Sequence, residues 1–329
     1  KNYIDNQLFF FIISLNLRLN FKIFRYLQLL KKITLLILVP FLLNGCSYIS
    51  DFKDTDNSSN KKNTSAVSKH MSNISKNWLD RTDIAIHGTQ NGRPTYSIET
   101  VQPLTETEVT KRNTTFFQGR LATRGSDETL NLGLGYRRLL QDESMILGIN
   151  TFFDTTRKNS HERIGLGLEA ISKQYTFRSN VYRKLSNEKT VINGSNTTYE
   201  QALHGVDYEI DTSVPYLPWM RMAINGYNWK AVNNADDLNG KKLTFSGYLS
   251  SNVIVDIGVN DDNYNGTDGF VKFTYLLGNN NINQNFTAEK VSANFSTDRN
   301  LKNHTLDKVK RQNDIIIQKR GGVVIGRSD

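Results

Sequence analysis

Side chains able to do acid–base or metal chemistry are thinly spread in this chain. Its five histidines, His70, His87, His161, His204 and His304, include no HExxH pair of the kind that holds zinc on one helix face. There is no GxSxG elbow for a nucleophilic serine and no GxxxxGK[ST] loop for phosphate. The densest titratable group is Asp154, His161 and Glu162, in which an imidazole between two acids could relay a proton. His161 falls in the polar stretch "TTRKNSHE", where a solvated histidine in a surface loop is the plainer expectation. No catalytic residue, metal site or cofactor is predicted. The single cysteine, Cys46, excludes an internal disulfide and a cysteine-built metal centre.

A different chemistry does recur. Small, amide and charged side chains stand at every second residue, opposite apolar ones. Asn131, Gly133, Gly135 and Arg137 alternate with Leu130, Leu132, Leu134 and Tyr136. Gly148, Asn150 and Asp154 follow, then Gly165, Gly167 and Glu169 against Ile164, Leu166 and Leu168, and Asp207 and Glu209 against Val206, Tyr208 and Ile210. Such a face can hold another polypeptide by hydrogen bonds and ion pairs. Glycine is disfavoured in strands unless something comes close to the backbone, so these glycines suggest a face that must leave room.

The elements that position these residues are strands. Period two runs from about residue 82 to 278, in twelve segments: 82–89, 94–104, 114–124, 129–140, 144–154, 162–172, 174–184, 203–213, 220–230, 241–251, 253–261 and 268–278. Ten residues at ~3.3 Å each, tilted by ~45°, rise about 23 Å, close to the apolar band of an outer-membrane barrel. Connections after the fourth, sixth, eighth and tenth segments are short ("QDES", "SK", "VPYLP", "SN"). Those after the fifth, seventh, ninth and eleventh are longer and rich in Asn, Asp, Gly and Thr. That sorting fits short turns on one side of a membrane and long loops on the other. A soluble β-sandwich is the alternative, and it gives no reason for the sorting or for strands of this length. The expected fold is all-β, a 12-stranded antiparallel transmembrane barrel whose polar face lines the pore.

Composition agrees. Hydrophobic content is 38 % and the net charge is +9. The Lys and Arg residues are dispersed, without a basic patch interleaved with aromatics, so no nucleic-acid partner is expected. Upstream, Lys31-Lys32 precede an apolar run from Ile33 to Leu43, the layout of a signal peptide over 30–45. "LNGC" resembles the lipobox of bacterial lipoproteins, which implies lipidation of Cys46; an ordinary secretory signal with an incidental cysteine is the alternative. Residues 1–29 read as translated upstream sequence, with the true start at Leu30. Residues 46–65 read as a flexible tether, and Val67, Met71, Ile74, Trp78 and Leu79 as one face of a short helix over 66–80.

Taken in order, "NLGLGYR" (131–137), "GINTFFD" (148–154), "RIGLGLE" (163–169), "GVDYEI" (205–210), "VPYLPWMRM" (214–222) and "LDKVKRQNDII" (306–316) resemble the inverse autotransporter β-domain, the translocator of the intimin/invasin adhesins. The resemblance covers about residues 66 to 320. It implies a periplasmic N-terminus, a twelve-stranded outer-membrane barrel, and a C-terminal linker running up the pore to an exported passenger. Residues 299–313 would be its helix and 314–320 its extended part, with Lys308, Arg311, Asn313, Ile315 and Ile316 as linker residues. Asp154, Glu169, Asp207 and Glu209 could pair with Lys308, Lys310, Arg311 or Lys319. Implied partners are outer-membrane lipid, the barrel assembly machinery, periplasmic chaperones and, through a passenger, a host receptor. "GGVVIGRSD", after the linker, is too short for an adhesin domain. A passengerless plugged barrel, serving as an envelope protein, a small channel or the exporter of a separate partner, is the alternative function.

Overall fold

The computed structural model describes residues 78–104, 112–193, 196–278, 299–320 and 324–327. The signal segment, Cys46, the tether and the helix expected over 66–80, apart from a helical Trp78–Leu79, lie outside the described residues.

Twelve strands close into one antiparallel barrel. In chain order they are β1 (Thr82–Thr89), β2 (Thr95–Pro103), β3 (Asn113–Arg124), β4 (Asp127–Leu139), β5 (Met145–Thr156), β6 (Glu162–Ser172), β7 (Tyr175–Lys184), β10 (His204–Val214), β11 (Leu217–Lys230), β12 (Leu238–Ser250), β13 (Val253–Asp262) and β14 (Gly266–Leu276). The numbering leaves β8 (Lys189–Asn193) and β9 (Asn196–Ala202) for a hairpin inside the β7–β10 connection. β1 closes on β14, with Ile84 opposite Tyr275 and His87 opposite Lys272, so the wall has no free edge. That closure satisfies every ladder group without water, as hydrocarbon requires.

The period-two pattern decides which face is wet. Leu132, Leu134, Leu166, Leu168, Val181 and Tyr208 stand exposed on the outside, while Asn131, Arg137, Asp154 and Arg163 are buried inside. An apolar band of this kind on the outer face matches lipid rather than water.

Because the strand number is even, both ends of the wall meet at one rim, where Leu277 donates to the Thr82 carbonyl. We call this the near rim. The near-rim connections at 140–144, 173–174, 215–216 and 251–252 are tight. Loop sorting does not extend to the first half of the chain: β3 and β4 join at the far rim through Gly125 and Ser126 alone. Gly125 supplies the left-handed backbone (φ 61°) that this turn needs.

Two expectations change. The helix over 299–313 does not form. A single 3-10 turn, Leu301–His304, is capped by the Asn300 side chain, and the chain is then extended. Its main-chain groups bond to wall side chains instead of to one another. The extended linker over 314–320 is largely a strand, β15 (Ile316–Arg320), which joins β16 (Val324–Arg327) and β9 in a second sheet of order β16-β15-β9-β8.

Candidate functional site

The pleat and the register build the lumen wall. One row runs across it by successive Cα pairs: Trp229, Gly205, Tyr182, Gly165, Phe152, Gly133, Gln118 and Val101. Large side chains alternate with glycine. A Cβ on Gly205 would sit 2.1 Å from the Trp229 ring, and one on Gly133 2.3 Å from the Phe152 ring. The glycines let the rings lie flat along the wall, the arrangement that rescues glycine in sheets. Gly135 does the same for Phe116, and Gly148 makes room for the Glu169 side chain. The room is thus taken mainly by wall side chains; Gly165 also meets the threaded segment, 3.0 Å from Arg311 Nη2. The next row holds amides and acids: Asp207, Asn180, Gly167, Asn150 and Gly135.

Residues 299–315 thread this lumen from the near rim to the far rim. At the near rim Leu301 packs with Leu139, Ile146 and Ile171, and Arg299 donates to the carbonyls of Ser172 and Tyr175. Arg137 then donates to the Thr305 carbonyl at 3.1 Å and to that of Asp307. The Gln118 carboxamide brackets Val309, accepting from its N–H at 2.8 Å and donating to its C=O at 3.3 Å. Val309 itself packs with Val101, Phe116 and Phe152. The Gln312 N–H donates to the Tyr182 hydroxyl at 2.8 Å, and that hydroxyl donates to Asp207 at 2.6 Å. Arg163 donates to the carbonyls of Gln312 at 2.7 Å and Asp314 at 3.1 Å, and Asn131 to that of Asn313 at 2.9 Å. Most of these bonds go to main-chain atoms.

The exception is the centre of the lumen. Arg311 reaches Asp154 with both guanidinium arms, at 2.8 and 2.6 Å. The same carboxylate accepts from Arg163 Nε at 2.9 Å and from Asn131 at 2.8 Å. Asp154 and Arg163 are fully buried and Arg311 is 1 % exposed. Each guanidinium also stacks on a ring laid flat by the glycine row. Arg311 lies 4.4 Å from the Phe152 centroid, and Arg163 4.4 Å from that of Tyr182. Such cation–π contacts add to the carboxylate bonds once water is excluded.

The remaining residues singled out in the sequence are placed as follows. Asn131, Gly133, Gly135, Arg137, Asn150, Asp154, Gly165, Gly167, Glu169 and Asp207 face the lumen buried, and Gly148 and Glu209 are half-buried. Of the acid–base pairs between wall and linker, Asp154–Arg311 is formed. Glu169 pairs instead with Arg137 at 2.7 Å, and Glu209 with Arg178 at 2.8 Å, both within the wall. Asp207 takes Asn180 and Tyr182. Lys308 pairs with Asp83, Lys310 lies 4.0 Å from Asp211, and Lys319 is 3.4 Å from Glu200. Ile315 and Ile316 are buried near the far rim, Ile315 with Ala202 and Ile317, and Ile316 with Tyr182, Leu203 and Trp229. Sequence reasoning missed Gln118, Arg163, Asn180 and Tyr182 as holders of the linker. All four sit at the inward phase of their strands, and that phase was the available signal.

His161 is not a solvated loop residue. It is fully buried, and its Nε2 lies 3.2 Å from Glu200, with Asn159 donating to the same carboxylate at 2.6 Å. Burial pushes the imidazole below its usual range and outweighs the pull of Glu200, so the ring is neutral and donates from Nε2. Burial opposes ionisation of Glu200, but His161, Asn159 and Lys319 hold its carboxyl below the usual range. His161 does not meet Asp154, whose partners are the arginines and Asn131, so the proton-relay group does not assemble. Among the described residues no cluster of His, Cys, Asp and Glu is arranged to hold a metal ion.

The sequence from residue 44 to 313 matches the family model of the inverse autotransporter β-domain. Among solved structures, a chain described under "Unveiling the Mechanism Behind the in-meso Crystallization of Membrane Proteins" is similar over 73 % of this chain and 100 % of its own, at 18 % identity and a TM-score of 0.59. The KdgM porin is similar over 59 % of this chain and 97 % of its own, at 10 % identity and a TM-score of 0.42. Outer membrane phospholipase A from Escherichia coli is similar over 60 % and 90 %, at 11 % identity and a TM-score of 0.39.

Proposed function

This chain belongs to the inverse autotransporter β-domain family and is located in the bacterial outer membrane, and from that premise we propose that it exports and anchors a C-terminal passenger. The observation that carries the proposal is the course of residues 305–315, which traverse the lumen and are bonded to the wall mainly through main-chain atoms. A wall that reads main chain can let varied sequences slide past during transit. The Asp154–Arg311 pair then fixes one register at the end. In this reading the near rim faces the periplasm and the far rim the outside. The working partners are membrane lipid, periplasmic chaperones and the barrel assembly machinery, with a host receptor contacted only by the passenger. No catalysis is involved.

The test is an epitope tag fused after Asp329 in whole cells. External protease should remove the tag without permeabilisation. A tag protected in intact cells, yet cut once the outer membrane is opened, overturns the reading. The filled lumen also favours a second reading, a plugged barrel that serves the envelope structurally. Deleting residues 299–329 and recording single-channel current tests the plug, which fails if no current appears.

A further inference from the structure

We propose that β9 is a capture strand: it takes the threaded segment as an added strand when that segment reaches the far rim, and so prevents it from sliding back. The inference rests on the translocator reading above. It starts from an unusual edge. β8 and β9 form a hairpin within the β7–β10 connection, and one side of β9 pairs with β8. The other side pairs with β15, which is not part of the wall but the continuation of the threaded segment. Without β15 that side would present a row of unpaired N–H and C=O groups, an open template for strand addition.

The pairing is a continuous ladder, unlike the single contacts inside the lumen. Ile317, Gln318, Lys319 and Arg320 stand opposite Ala202, Gln201, Glu200 and Tyr199, and Leu203 N–H donates to the Ile316 carbonyl at 2.9 Å. Three far-rim connections lock it. Glu200 accepts Lys319 on the ladder and is itself held by Asn159 and His161 from the β5–β6 connection. The Gln318 carboxamide brackets Val232 in the β11–β12 connection, accepting at 2.8 Å and donating at 3.1 Å. Arg320 pairs with Glu188 beside the hairpin and stacks over Tyr199. Ile315 and Ile317, part of the apolar "III" in an otherwise polar linker, bury with Ala202 to 0–1 % exposure. A retreat into the lumen would break the ladder and pull these isoleucines back along a polar wall. Emergence is therefore favoured over return, from contacts that exist only outside the pore.

The alternation of an antiparallel ladder, counted from Leu203 N–H on β15, places Gln201 N–H on the same side, whereas the donors of Glu200 and Thr198 face β8. Gln201→Pro thus removes one donor to β15 and leaves the β8 pairing its own. The assay follows tag exposure at the cell surface in the full chain, with heat-modifiable gel mobility to show that the wall has assembled. The surface-exposed fraction should fall about fivefold, the equivalent of one ladder hydrogen bond, while wall assembly is retained. In the same background, Ala202→Cys with Ile317→Cys, once oxidised, should restore exposure by replacing the lost bond with a covalent one. Unchanged exposure in Gln201→Pro overturns the capture role. So does a wall that assembles, forms the disulfide and still fails to regain exposure. If the unmodified chain never exposes the tag, the translocator reading itself has failed, which is a separate result.

Discussion

The buried Asp154–Arg311–Arg163 group makes an asymmetric prediction. Asp154 with two guanidiniums carries a net charge of +1, and Asp207, through the Tyr182 hydroxyl, brings the neighbourhood to zero. Arg311→Met removes the linker's ionic contact but leaves Asp154 satisfied by Arg163 and Asn131, at 2.9 and 2.8 Å. The methionine still has the Phe152 ring to pack on. The lost charge-assisted bonds are worth about 1.5–3 kcal/mol. Asp154→Asn instead leaves two guanidiniums facing each other in a dry site, and removing one member of a buried pair costs about 3–5 kcal/mol. Only release of the linker lets Arg311 reach water. The ratio of released to threaded linker should therefore rise by about 10²-fold or more in Asp154→Asn, and by about 10- to 100-fold in Arg311→Met. Single-channel recording reads this as open probability. The double variant should resemble Arg311→Met alone, because no uncompensated charge remains. If Arg311→Met opens the channel as much as Asp154→Asn, or if the two effects add in the double variant, the electrostatic argument is refuted.

Three further outcomes follow from the same geometry. Gly135→Ala would place a Cβ 2.1 Å from the Phe116 ring; displacing that ring should cost about 1–3 kcal/mol, seen as a lower urea midpoint for wall unfolding. Leu168→Arg puts a charge on the exposed apolar face and should destabilise the membrane-inserted barrel by about 2–4 kcal/mol if that position is at mid-bilayer. It should leave lumen conductance unchanged. Acid should loosen β15 from β9. Both His161 and Glu200 have docked values below their ordinary 6.5 and 4.5, so the undocked state binds more protons as pH falls and docking weakens. Lys189, Lys319 and Asp127 face the same pocket and do not reverse the sign. Hydrogen exchange of the Leu203 amide should quicken from pH 7 to pH 4 after correction for intrinsic rates, and His161→Gln should flatten the upper part of that change.

The wall was legible from residue types and the linker was not. Alternation locates a strand and tells its two faces apart, and strand phase is preserved by every pairing around a closed sheet. Asn131, Asp154 and Asp207 could therefore be assigned to the pore from local pattern alone. Which acid meets which base depends on register and on depth along the pore, and neither is encoded locally. Glu169 lies level with Arg137 and Glu209 with Arg178, so both are neutralised before the linker arrives. The linker was misread as a helix because "LDKVKRQND" has adequate helix formers and no breaker. Gln118, Arg137, Asn131 and Arg163 supply the hydrogen bonds that a helix would make internally, and tertiary context overrides propensity. His161 was misread for the complementary reason. Its polar neighbours describe a loop, but β8–β9, over a connection taken as one long loop, covers it.

The division of labour within the lumen explains why so few linker side chains are specified. Gln118, Arg163, Asn131 and Tyr182 bond to peptide groups, which every residue but proline offers in the same form. The lumen therefore has affinity for extended polypeptide as such, and would bind any register about equally well. A single buried ion pair breaks that degeneracy. Sliding the chain by one residue along an extended path of about 3.3 Å carries the Arg311 guanidinium off both oxygens of Asp154 while the main-chain contacts re-form one residue along. The glycine row sharpens the choice, because the flat Phe152 and Tyr182 rings sandwich a guanidinium at that depth. General hold and specific stop are thus carried by different atoms of the same wall, and the first can serve transit while the second serves arrest.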